Sequence, residues 1–235
     1  MAVLPGSVNL TIATMYGGKT TYLLHLMETM GHFYRRIDPV KKQMLYINHI
    51  SDTRAKTPYS THSTIIDSEQ VLSMGGHFEL VPRLSDLSDE FIADHRVIFI
   101  DEAQFFPDLI EGVLRISEKL GVDVYVVGLK SDWQRKPFGQ ILDLIAISDD
   151  VVTLKDTFCA ECPKRGGMNK AIFTHRLINR TGQQIEVGND YIPVCRKCYL
   201  SLNKPPDSIT HDVLATQALK ILTGNFHNIV KTIDN

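Results

Sequence analysis

The sequence has no run of apolar residues near the roughly 20 that a membrane helix requires, and it has no surplus of one charge. Its 25 Lys and Arg against 27 Asp and Glu leave a net charge of −2. No basic field therefore advertises binding to nucleic acid or to a membrane surface. The start, MAVLPGSVNLTIA, lacks a basic region ahead of an apolar one, so no signal peptide is expected and the cytoplasm is the expected compartment. Internal repeats and low-complexity stretches are absent. Cysteine is scarce, with four in all, and the earliest is Cys159. The 235 residues, 43% of them apolar, suffice for one well-packed domain with a small appendage but not for two full domains.

Strands alternate with helices through the first two-thirds. Val8, Leu10 and Ile12 alternate with polar residues, a Gly-rich turn follows, and Leu23, Leu24, Met27 and Met30 then recur at helical spacing. Short strands are expected at Met44-Leu45-Tyr46-Ile47 and Phe78-Glu79-Leu80-Val81, with a polar loop over 50–63 and a helix over 87–93. Val97-Ile98-Phe99-Ile100 is apolar on both faces, which suits a strand inside a parallel sheet covered by helices on both sides. Pro107 opens a helix whose stripe is Leu109, Val113, Ile116 and Leu120, and Gly121 ends it. Further strands are expected over 122–128 and 151–154. The pattern predicts an α/β fold, a parallel P-loop sheet with flanking helices. Three segments follow: 1–154 as the α/β domain, 155–200 as a small metal-held module, and 201–235 as a tail with one helix over 211–222.

Ala13-Thr14-Met15-Tyr16-Gly17-Gly18-Lys19-Thr20 fits G-x-x-x-x-G-K-[ST] except at its first position. A strand before it and a helix after it place backbone N–H groups and the helix dipole at an anion site. Lys19 would meet the β- and γ-phosphates, and the Thr20 hydroxyl a Mg²⁺ ion. If the first position needs positive φ, alanine there costs on the order of 1 kcal/mol. Later, the strand Val97-Ile98-Phe99-Ile100 ends in Asp101-Glu102, expected beside the phosphate loop. Asp101 would hold Mg²⁺, and Glu102 could take a proton from an acceptor hydroxyl. ATPases carry the same two residues, so these motifs alone leave kinase and ATPase both open.

Cys159-x-x-Cys162 and Cys195-x-x-Cys198 supply four thiolates at the spacing of a structural zinc site. Two disulfides are the alternative.

Together these residues resemble the cytosolic, zinc-bearing thymidine kinases that carry a lasso domain, over about residues 8–199. The likeness rests on the P-loop, the cysteine pairs, F-I-D-E-A-Q-F-F from Phe99, Q-R-K-P-F-G from Gln134, and Asp52-Thr53-Arg54 with Thr61-His62. It implies transfer of the γ-phosphate of ATP to the 5′-hydroxyl of thymidine or a related pyrimidine deoxynucleoside. It also implies Mg²⁺, structural Zn²⁺ and a homotetramer, with no nucleic acid or membrane partner. By position, Glu102 matches the general base, Asp101 the metal-site carboxylate, and Asp52, Arg54 and Gln104 the nucleotide side of the site. Met15, Phe105, Leu129, Trp133 and Phe138 match the walls of the base pocket, and Thr174 and Tyr191 further substrate contacts. Ile185, Glu186, Val187 and Gly188 match the lasso segment whose backbone reads the base. The chain departs from the family at Ala13, at Lys130 and Asp132 (usually an acidic and a small or hydroxyl residue), and at Trp133 (usually Phe).

Two other functions fit parts of the pattern. One is a catalytically weak relative that binds nucleotides as a sensor or assembly protein, favoured by Ala13 and Lys130. The other is a P-loop ATPase with a zinc-held nucleic-acid module, disfavoured by the near-neutral charge.

Overall fold

The computed structural model describes residues 4–37, 42–52, 68–177 and 191–203. The chain divides into two compact units, 1–199 and 200–235. The loop residues Arg54, Thr61 and His62, the lasso segment 185–188 and the expected helix over 211–222 lie outside the described residues.

Six parallel strands form the main sheet: β1 (Val8–Ala13), β2 (Lys42–His49), β3 (Gly76–Val81), β4 (His95–Ile100), β5 (Asp123–Leu129) and β6 (Asp150–Thr153). Their order is β3-β2-β4-β5-β1-β6. Period-two alternation sends neighbouring side chains to opposite faces. On one face Leu10, Leu45, Ile98, Ile100, Val124 and Val126 pack with Leu109, Val113 and Ile116. On the other, Met44, Tyr46, Val97, Phe99 and Val127 pack with Leu23 and Met27. Both faces are covered, so all four residues of Val97-Ile98-Phe99-Ile100 are fully buried, as expected of a strand apolar on both sides.

The helices supply these covers. α1 (Lys19–Ile37) buries Leu23 and Met27, four residues apart on one face. Each such burial contributes about 1.5–3 kcal/mol. α2 spans Ser68–Ser73. α3 (Asp89–Ala93) is capped by Ser88, whose Oγ accepts the N–H of Phe91. α4 (Leu109–Leu114) begins two residues after Pro107 and widens into a π-turn over Arg115–Lys119. Gly121, at φ 66°, leaves that turn in the left-handed region.

β5 runs between β4 and β1, pairing with both. The segment after 155 also contains regular structure, an antiparallel ribbon of β7 (Phe173–Arg176) and β8 (Tyr191–Val194), followed by α5 (Arg196–Leu202). Strands of four residues carry too few alternations to show a period, and Pro193 within β8 further masks it.

Candidate active site

The phosphate loop leaves β1 at Ala13 and enters α1 at Lys19. Gly18, at φ 76°, takes a conformation that costs glycine nothing. Ala13 itself remains strand, and the positive φ falls instead on Tyr16, at 60°. Alanine at the first motif position is therefore unstrained. Gly17 donates its N–H to the Thr14 carbonyl at 3.0 Å and closes the loop. Thr157 adds a strut from the far side: its hydroxyl donates to the Tyr16 carbonyl at 3.0 Å.

The acidic pair stands across β5 from this loop, and the Lys19 side chain spans the gap. Its Nζ lies 3.9 Å from Oε1 of Glu102, with both side chains buried. Glu102 is left-handed, at φ 47° and ψ 39°, which turns the chain sharply off the strand into a 3₁₀ turn over Ala103–Phe105. A non-glycine residue in this region costs on the order of 1–3 kcal/mol and persists where its surroundings over-determine it. Here Gln104 supplies the restraint. Its Nε2 donates to Oε2 of Glu102 at 2.5 Å, and its Oε1 accepts the N–H of Leu129 at 2.9 Å. Gly139 lets the Q-R-K-P-F-G segment close on this turn, since a Cβ there would fall 2.2 Å from the Gln104 carbonyl.

Asp101 is buried, with a partner on each oxygen. Oδ1 accepts the N–H of Glu102 at 2.7 Å, and Oδ2 accepts the Tyr46 hydroxyl at 2.9 Å. Burial, together with the Glu102 charge, lifts its pKa to about 6 against the pull of Lys19 and these donors. Burial, then Asp101, pushes the Tyr46 phenol well above its ordinary value, and Asp52 contributes in the same direction. The Asp52 carboxylate is buried and held by the Asn48 amide at 3.0 Å.

Beyond the acidic turn, Phe105 and Phe138 meet edge to face with centroids 5.4 Å apart, and His49 stands 5.7 Å from Phe105. A wall of this kind suits a flat base. Met15, Thr20 and Leu129 lie at the same carboxyl ends of β1 and β5. Thr174 is buried on β7, paired with Pro193, and Tyr191 is buried opposite Arg176.

The four cysteines converge. All four Sγ atoms lie within 4.8 Å of one another, all are buried, and none is in a disulfide. The Cys162 Sγ stands 3.7 Å from that of Cys195 and 3.8 Å from that of Cys198. A tetrahedron with metal–sulfur bonds of about 2.3 Å has edges of about 3.8 Å, so the donor set fits zinc in number, chemistry and spacing. Asn169 supports it, donating to the Cys162 sulfur at 3.2 Å. Burial raises the Cys159 thiol, but backbone N–H groups of Cys195, Glu161 and Cys162 outweigh it and bring it down to about 7.

A family model described as thymidine kinase matches residues 6–199. The chain belongs to the thymidine kinase family. It is 36% identical over 198 residues to the thymidine kinase of Vaccinia virus (strain Western Reserve), across 83% of this chain and 97% of that protein. The thymidine kinases of Monkeypox virus, over 196 residues, and of Variola virus (isolate Human/India/Ind3/1967), over 198, are also 36% identical at the same coverage.

Asp132 is buried as a loop staple: its Oδ1 accepts the N–H groups of Gln134 and Lys136 at 2.9 and 2.8 Å. The N–H of Lys130 donates to the Ala13 carbonyl at 3.3 Å. Burial, then the nearby Lys155 charge, lowers its ammonium pKa. Motif reading missed Tyr46, Thr157, Asn169 and Tyr199. Tyr46 left a signal, because a phenol within an apolar strand must find a partner.

Proposed function

We propose that the protein transfers the γ-phosphate of ATP to the 5′-hydroxyl of thymidine, and of deoxyuridine, giving the nucleoside monophosphate for DNA precursor salvage. The observation that carries the reading is the Lys19–Glu102 pair: a phosphate-loop lysine and a strained, doubly restrained carboxylate stand 3.9 Å apart in a thymidine kinase family chain. A phosphate-binding and a proton-accepting group thus converge from β1 and β4.

In the proposed reaction the triphosphate lies along residues 13–20, against the amino end of α1, with Asp52 and Arg54 beside it. Mg²⁺, held by Thr20 and Asp101, would neutralise charge on the β- and γ-phosphates. Glu102 takes the proton of the 5′-hydroxyl as that oxygen bonds to the γ-phosphorus. The bond from γ-phosphorus to the β–γ bridging oxygen breaks, and ADP leaves. Gln104 keeps Glu102 aimed, while Phe105, Phe138, Trp133, Met15 and Leu129 wall the base. Thr174, Tyr191 and the 185–188 backbone complete the nucleoside contacts. Segments 1–154 and 155–200 serve as catalytic and zinc-held domains, and the working form is a homotetramer. No helix among the described residues is long and apolar enough to cross a membrane, and four reduced thiols suit a reducing compartment such as the cytoplasm.

The unstrained Ala13 removes the main ground for a catalytically weak relative. Purified protein incubated with ATP, Mg²⁺ and a panel of thymidine, deoxyuridine and deoxycytidine tests the reading. Thymidine monophosphate is expected, and no monophosphate from any of the three would overturn it.

A further inference from the structure

The loop between β5 and the Phe138 wall is rigid by its own design but anchored elsewhere. A bridge between Ser131 and Pro137 closes it at the base. Asp132 ties down the N–H groups of Gln134 and Lys136 from within. Its outward attachments run to the cysteine module. The Tyr199 hydroxyl donates to the Trp133 carbonyl at 2.8 Å. The Arg135 guanidinium stacks 4.7 Å from the Tyr199 ring centroid and 5.6 Å from that of Phe173. Arg135 holds φ at 67° to reach there, a conformation non-glycine residues rarely take without compensation. From β7, buried Arg176 lies 5.4 Å from the Trp133 ring and 6.0 Å from that of Tyr191.

Tyr199 directly follows Cys198, and its N–H donates to the Cys195 carbonyl at 2.8 Å. Its backbone is therefore part of the second Cys-x-x-Cys turn, and its ring packs in the same small core as the four thiols. The path from sulfur cluster to Trp133 has one covalent step, one hydrogen bond and one cation–ring stack.

We propose that Tyr199 and Arg135 are positioning residues for nucleoside selection, through which the cysteine-held module sets where Trp133 stands against the base. The module then does more than stabilise the chain. Loss of its metal lets the 131–137 loop drift and weakens nucleoside binding. The proposal rests on the thymidine kinase reading of the site.

Trp133 is the sole tryptophan, so its emission reports the loop directly in the full zinc-loaded chain. Tyr199→Phe keeps the ring beneath Arg135 and removes only the hydroxyl. Loss of one neutral hydrogen bond predicts a thymidine KM raised on the order of five-fold, with kcat and the ATP KM within about two-fold of wild type. Trp133 emission should move to longer wavelength, and chelation of the metal from wild-type protein should move it the same way. Arg135→Lys, which keeps the charge but loses the planar stack, should give a smaller change of the same kind. The proposal is overturned if Tyr199→Phe lowers the melting temperature alone, leaving thymidine KM and Trp133 emission unchanged. It is likewise overturned if metal removal leaves the emission where it was. Failure of wild type to phosphorylate any nucleoside would sink the kinase reading instead, and the emission comparison reads the loop independently of turnover.

Discussion

The Tyr46 hydroxyl donates to Oδ2 of Asp101 across 2.9 Å in the interior of the sheet, where both residues are buried. The tyrosine ring is itself fixed, stacked on Phe78 with centroids 5.4 Å apart. One oxygen of the Asp101 carboxylate is thus set by the middle of a neighbouring strand, and the other by the N–H of Glu102. Tyr46→Phe preserves the stack and removes only the donor. The expected cost is about 1–3 kcal/mol of stability, the penalty for an undersatisfied buried acceptor, together with a lower kcat. Urea denaturation measures the first and steady-state kinetics the second. A variant as stable and as active as wild type would remove Tyr46 from any part in holding Asp101.

Glu102→Gln keeps the size of the side chain and its capacity to accept from Gln104, but removes the proposed base. A fall in kcat of about 10²–10⁴-fold is expected, with ATP affinity, measured by fluorescence or calorimetric titration, close to wild type. A variant that loses ATP binding along with turnover would assign Glu102 to holding Lys19 and not to proton transfer.

The parts of this site that were legible in the sequence are those whose chemistry is local. Lys19 and Thr20 are recognised by neighbours within eight residues, Asp101 and Glu102 by the apolar strand just before them, and the cysteines by their spacing in pairs. The α/β sheet was legible because burial on both faces leaves long unbroken apolar strands. The illegible parts are pairings between distant positions. Tyr46 and Asp101 are 55 residues apart and Tyr199 and Trp133 are 66 apart, and nothing in either local segment names its partner. Strand order belongs to the same class: that β5 separates β4 from β1 follows from which edges pair, a tertiary fact. Ala13 misled for a different reason. The motif carries glycine at this position, whereas in this chain Ala13 is strand and the left-handed residues are Tyr16 and Gly18.

Removal of the metal separates zinc from the disulfide alternative. With Sγ–Sγ distances of 3.7 and 3.8 Å at Cys162, no S–S bond exists there to reduce. A strong chelator should lower the melting temperature by several degrees or more, and zinc should restore it. A thiol reductant alone should leave the temperature unchanged. Cys162→Ser should abolish stoichiometric zinc. Sensitivity to reductant without sensitivity to chelator would reverse the assignment.

His49 provides a pH dependence with a definite sign. Its Nδ1 accepts the Ser51 N–H at 3.1 Å, while Nε2 lies 3.1 Å from the Pro82 carbonyl, an arrangement that uses both nitrogens of the neutral ring. Burial lowers its pKa, against the Pro82 carbonyl and the Asp108 charge, which favour the cation. The unfolded chain, titrating near pH 6.5, therefore takes up the proton before the folded chain does. Stability falls as pH drops below about 6.5 and goes on falling until the lowered folded pKa is passed. His49→Gln cannot titrate there, so its melting temperature should decline less steeply than wild type between about pH 7 and pH 5. Parallel declines would show that His49 contributes nothing to acid sensitivity.

Ala13 and Gly17 share one space at the mouth of the phosphate loop. A Cβ on Gly17 would lie 2.9 Å from the Ala13 Cβ and 2.7 Å from the Thr14 carbonyl oxygen. The methyl at position 13 thus helps exclude any side chain at position 17, and the two residues are coupled through contact, not through backbone strain. Gly17→Ser should spread the loop and raise the ATP KM by an order of magnitude or more, since misplacing backbone N–H groups by about 1 Å degrades phosphate binding steeply. Adding Ala13→Gly to that variant relieves one of the two clashes and should recover part of the loss, so the double-mutant cycle should show a non-additive term of about 0.5–3 kcal/mol in ATP binding. Strict additivity would show that the Thr14 carbonyl alone dictates glycine at position 17, and that Ala13 can vary without consequence for its neighbour.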